Sequence, residues 1–258
     1  AAAFGMYKTV EAAKDMAMLT ARYDTLGVVM GVAGKNAGYS ASEMAMLEQS
    51  LRDTGISLIS SRDALTSMAT ANLDLAKSSA LARAAQDVAV VGNLNSSEAF
   101  QNMVRGIKSG EVEILKTMGL NVQFEAGYKA LGDQLHKNAA DLTAQEKLQS
   151  RMNQVLQESA KYQGIYEASM STAGKQLKSM ERYAEDLQVA MGATFQPALT
   201  ESVLSMTSAL KSANEWVEAN SVNIADLGEA MRSTVVAGEA FLGTLSQISG
   251  GSGTASDA

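Results

Sequence analysis

Apolar side chains recur every three or four positions along most of this 258-residue chain, the period of a helix that buries one face. The spacing predicts helices at about 6–35, 41–53, 60–71, 74–91, 96–109, 111–118, 123–138, 144–163, 165–195 and 197–220, with a weaker one at about 222–247. The punctuation agrees. Ser40-x-x-Glu43, Asn95-x-x-Glu98 and Thr143-x-x-Glu146 place a capping side chain three residues before a glutamate that can reach back. Gly55, Gly92, Gly110 and Gly119 each follow a helical run, where a left-handed residue would end it. The expected fold is all-α, a compact multi-helix region followed by long, coiled-coil-like helices. Its parts are an N-terminal helix (1–38), a compact bundle of short helices (39–142), long amphipathic helices with a break near Pro197 (143–248) and a flexible Gly/Ser tail (249–258). Helices as short as those of 39–142 are stable only when packed on one another.

Two stretches carry a narrower pattern. Leu177, Met180, Ala184, Leu187 and Met191 repeat at 3-4-3-4 spacing, and Leu199, Val203, Met206, Leu210, Ala213 and Val217 repeat at 4-3-4-3-4. Each is an a/d seam under three heptads long, to be covered either by this chain or by another copy. The seams are out of phase by one residue, and Pro197 stands at the join, where a kink or a fresh helix start would reconcile them. The candidate association surface is therefore Leu177, Met180, Leu187, Met191, Leu199, Val203, Met206, Leu210 and Val217, with a homo-oligomer, most simply a trimer, as its product.

Composition sharpens the class. The chain has one proline, no cysteine, 42 alanines and 15 methionines. So few prolines exclude turn-rich barrels and sandwiches, and so much alanine implies a thin core in which helices approach closely. Without cysteine there is no disulfide framework, thiolate metal site or cysteine nucleophile. The net charge of −7 provides no footprint for tight nucleic-acid binding. Residues 212–258 carry six acids against Arg232 alone, −5 of that total. No run reaches the ~18 apolar residues of a membrane span. The alanine at position 1 and the Gly/Ser-rich end suggest a piece of a longer protein.

A search for chemistry finds little. His136 is the only histidine, so a two-histidine metal site is excluded, and its position at a predicted helix C-terminus suits a capping role. Gly34-Lys35-Asn36 and Gly174-Lys175-Gln176 lack the hydroxyl residue and the upstream glycine of a phosphate loop. Gly27-x-x-x-Gly31 and Gly34-x-x-x-Gly38 would let a helix approach closely or mark a bent helix end. Glu111 and Glu113 point to different helix faces, and Glu185/Asp186 read as part of a solvated charged face with Lys178, Glu181 and Arg182. No catalytic, cofactor or metal residues are expected.

The chain resembles the tail tape measure proteins of long-tailed bacteriophages and prophages from about Ala21 to Leu199. Among the stretches that carry the resemblance are Ala21-Arg22-Tyr23-Asp24-Thr25-Leu26, Leu51-Arg52-Asp53-Thr54-Gly55-Ile56, Asn93-Leu94-Asn95-Ser96-Ser97-Glu98-Ala99-Phe100, Gly106-Ile107-Lys108-Ser109-Gly110-Glu111, Thr172-Ala173-Gly174-Lys175-Gln176-Leu177 and Phe195-Gln196-Pro197-Ala198-Leu199. Specificity comes from their order and spacing together. The resemblance implies a non-enzymatic virion protein, present as a few parallel copies in the tail-tube lumen, that sets tail length and leaves ahead of the DNA. It also implies tube, tip and tail-chaperone proteins as partners, and residence in the host cytoplasm during assembly. Family members are usually longer and often carry membrane-active or wall-degrading segments, neither of which is present in these residues. A helical peptidoglycan hydrolase module of a tail and a bacterial helical interaction or secretion protein are the competing readings.

Overall fold

The structure, a computed structural model, describes residues 2–219 together with Val236, Glu239 and Gly243. The expected weak helix at 222–247 and the tail at 249–258 lie outside the described residues, apart from those three positions. The described residues are helical, with no strand among them. Ten α-helices follow in order: α1 Ala2–Asn36, α2 Ala41–Asp53, α3 Leu58–Thr70, α4 Ser78–Val91, α5 Ser96–Ser109, α6 Val112–Lys116, α7 Phe124–Leu135, α8 Ala144–Ser159, α9 Ile165–Ser169 and α10 Ala173–Ala219. Short 3-10 turns stand at Leu75–Lys77, Ala139–Asp141 and Ala160–Tyr162.

The capping chemistry sets these ends. Ser40 and Thr143 each accept from the backbone N–H three residues on, and Glu43 and Glu146 return the bond, closing two full capping boxes. Asn95 accepts from the Glu98 N–H at 2.8 Å. Gly55, Gly110 and Gly119 adopt the left-handed conformation that ends their helices, but Gly92 does not: its φ is −78°, and Asn93 at φ 54° makes the turn instead. Asparagine tolerates that region because its short polar side chain satisfies nearby backbone groups.

Residues 23–187 form one compact unit. Its centre is the contact between α4 and α5. On α4, Ala82, Ala85 and Ala89 are fully buried and let the helices come close, while Leu81 and Val88 fill the spaces beside them. On α5, Phe100, Met103 and Ile107 supply the bulk. Leu51, Leu65 and Met68 from α2 and α3, and Leu115 and Met118 from the α6 region, complete one continuous core. Met152 and Val155 of α8 are fully buried in it, so the compact unit continues beyond 142, where the sequence suggested an end.

The second unit combines the described residues of 2–22 with those of 188–219. Here the two helices meet at backbone distance. Thr20 Oγ1 lies 3.1 Å from the Met16 carbonyl and 2.9 Å from the Val189 carbonyl, able to donate to either. A Cβ on Gly192 would overlap both Thr20 Oγ1 and the Met16 carbonyl, so only glycine fits there. α10 is helical through Pro197, where the sequence predicted a break. Proline withholds one N–H but its φ is compatible with a helix. The interruption instead falls at 170–172, between α9 and α10.

Candidate functional site

In α10 the two faces are disposed in the reverse of the solvated-charge expectation. Leu177, Met180, Tyr183 and Leu187 are 64%, 60%, 57% and 59% exposed. Lys175, Ser179 and Arg182, on the opposite side, are buried at 6%, 6% and 9%. Every described aliphatic or aromatic side chain of 174–187 is thus exposed, while the polar stripe faces the protein. Further along, Met191 is 44% and Leu210 46% exposed. The side chains of Leu199, Val203, Met206 and Val217 lie outside the described residues.

The polar stripe is held by helix ends. The Leu58 N–H, the first of α3, donates to Asp186 at 2.8 Å, and the α3 cap Ser57 donates its hydroxyl to Glu185 at 3.3 Å. Asn95, which caps α5, donates to Glu181 at 3.4 Å. Asp186 meets an orphan backbone N–H at the start of α3, Glu181 meets the capping side-chain amide of α5, and both sit at the positive end of a helix dipole. The carbonyls ending α2 receive cations and amides. Arg182 Nη1 donates to the Gly55 oxygen and Gln86 Nε2 to the Thr54 oxygen. Gly55 is left-handed at φ 77°, and a Cβ there would occupy the place of the Arg182 guanidinium. Lys175 Nζ lies 3.5 Å from Ser96 Oγ and 4.7 Å from the centre of the Tyr166 ring.

Burial penalises these charges. The Asp186 carboxyl is pushed above the usual carboxylate range, chiefly by desolvation, with the Leu58 N–H and Arg182 pulling the other way. Lys175 is pushed below the usual ammonium range by desolvation and then by the Arg182 charge.

The remaining candidates take structural places. His136 is the left-handed C-cap of α7 at φ 56°. Glu113 pairs with Lys116 at 2.7 Å on α6. A Cβ at Gly27 would meet the Arg62 guanidinium, and one at Gly34 would meet Met44, so both glycines admit side chains rather than a helix backbone. Gly31 faces open space, and Gly38 is a left-handed turn residue. Among the described residues no cluster of three His, Asp or Glu could hold a metal ion, and no helix is long and apolar enough to cross a membrane.

Two features were not legible in the sequence. One is a buried knot in which Tyr23 Oη donates to Glu48 at 2.8 Å while Arg62 Nε donates to the same carboxylate at 2.9 Å. Arg62 also donates to the Tyr23 carbonyl at 2.7 Å and stacks 3.5 Å over its ring. Burial, then the Glu48 hydrogen bond, pushes the Tyr23 phenol up to about 12. The other is a groove of about 700 Å³ bordered by Lys116, Phe124, Tyr128, Lys147 and Arg151. Arg151 is engaged by the Tyr128 hydroxyl and by the Ile107 and Lys108 carbonyls that end α5, so it braces the fold at the groove wall.

Comparison with protein-family models, curated proteins and solved structures finds no match to this chain. The most distinctive surface of the described residues is the bare apolar side of α10.

Proposed function

We propose that this chain is a structural assembly protein of a phage-type tail, a tape measure protein that occupies the tube lumen and sets tail length. The reading rests on the resemblance in sequence and on one structural observation. The 177–187 face of α10 carries leucine, methionine and tyrosine into solvent at coiled-coil spacing, while its charged side is engaged by the same chain. An apolar stripe left bare in this way marks an association surface. The partner is another copy of the chain, and a trimer is the favoured product, with Leu199 to Val217 as a second stripe turned from the first by the one-residue phase shift. Tail-tube, tail-tip and chaperone proteins are the further partners, with assembly in the host cytoplasm and residence in the virion tail.

The acidic balance favours this role. A net charge of −7 opposes tight binding of DNA that shares the same channel and lets the chain leave ahead of it. No enzymatic step is part of the proposal.

The decisive experiment alters length. An in-frame insertion of four heptads within α10 of the complete gene product should lengthen assembled tails by about 42 Å, at 1.5 Å per helical residue. Electron micrographs of purified particles give the readout. Tails of unchanged length with the inserted protein present would overturn the ruler reading.

A further inference from the structure

We propose that residues 173–187 of α10 are a detachable strap, lifting from the starts of α3 and α5 as a unit while the α2–α9 core stays folded. The inference goes beyond the self-association reading and does not depend on it, because the apolar face points to solvent when the strap is seated.

A core helix is normally anchored by apolar side chains, and α5 shows this with Phe100, Met103 and Ile107 all fully buried. In 174–187 no described apolar side chain is buried, so hydrophobic burial contributes little to seating. The grip is made by charged side chains: Arg182 donates to the Gly55 carbonyl, Asp186 accepts from the Leu58 N–H, Glu185 from Ser57 and Glu181 from Asn95, while Lys175 lies against Ser96 and the Tyr166 ring. Each offsets a desolvation penalty on the same charge, and water can replace each partner on release. Ser57 and Asn95 keep their own capping bonds to Ser60 and Glu98, so α3 and α5 retain capped starts when the strap leaves. Local opening of this kind, well below the free energy of global unfolding, is expected where polar contacts alone hold an element.

Native-state hydrogen exchange on dilute, monomeric protein tests the proposal. In the wild type, the amides of 173–187 and the Leu58 N–H should share one opening and exchange at least 100-fold faster, after correction for intrinsic rates, than the amides of α4 and α5 (roughly 2.7 kcal/mol or more). Arg182→Met should speed that set at least tenfold and leave α4 and α5 unchanged. Equal protection of 173–187 and the core in the wild type would overturn the proposal, whether or not the variant folds. So would a variant in which strap and core accelerate together.

Discussion

Replacing Leu187 with glutamate separates the two fates open to the α10 seam. Leu187 is 59% exposed, so the substitution removes little that the monomer buries and should change its stability by no more than about 0.5 kcal/mol. In an oligomer the same side chain becomes buried. Full burial of a leucine contributes about 1.5–3 kcal/mol, and the part still exposed here accounts for about 1–2 kcal/mol per copy. Two copies facing each other lose about 2–4 kcal/mol, a weakening on the order of 30- to 1000-fold before the repulsion of facing carboxylates is added. Sedimentation velocity over a micromolar concentration series measures the association, and urea unfolding of the dilute protein measures the monomer. Wild-type protein should associate and Leu187→Glu should not, with coincident urea midpoints at low concentration. Undiminished association of the variant would refute the seam. A large loss of monomer stability would show that this chain itself covers Leu187.

Four further outcomes follow from the packing. Arg62→Met leaves the buried Glu48 carboxylate with the Tyr23 hydroxyl but without its cation, at a cost of about 2–4 kcal/mol in urea unfolding, and Arg62→Met/Glu48→Leu should recover most of it. Tyr23 should titrate well above the usual tyrosine value, seen as late tyrosinate absorbance. Because its folded pKa is raised, the stability it contributes is present below the unfolded value near 10 and is lost as pH rises through about 12. Glu146 behaves oppositely: its hydrogen bond with Lys137, then those with Thr143, hold its carboxyl down to about 2. Its contribution is present above the usual carboxylate range and is lost as pH falls through about 2, which carboxyl-carbon NMR should follow. Gly192→Ala should destabilise by about 1–3 kcal/mol through overlap with the Met16 carbonyl, whereas Gly31→Ala, which faces open space, should raise the melting temperature by the ordinary helix preference.

Much of the helical layout was readable from residues alone because its causes are local. A serine or threonine three positions before a glutamate needs no distant partner to start a helix, and both Ser40 and Thr143 do so. The boundaries that shifted depended on longer-range contacts or on backbone choices between neighbours. Gly92 and Asn93 both tolerate a turn, and the structure selects Asn93. α8 has the length expected of the C-terminal helices, yet Met152 and Val155 complete the core of the short ones.

α10 marks the boundary between the two kinds of information. Its sequence determines that Leu177, Met180 and Leu187 share one side and Lys175, Arg182 and Asp186 the other, because a helix turns about 100° per residue. Periodicity states the angle between those faces but not which of them a neighbour will cover, and hydrophobicity alone favours burying the leucines. The tertiary structure decides otherwise. Folding the α2–α9 core brings the starts of α3 and α5 and the carbonyl end of α2 beside one helix. The α3 start and the α2 end carry backbone groups without partners in their own helices, and α5 offers its capping amide; ionised side chains can satisfy these where leucines cannot. The charged side turns inward for that reason, and the apolar side is left to the solvent.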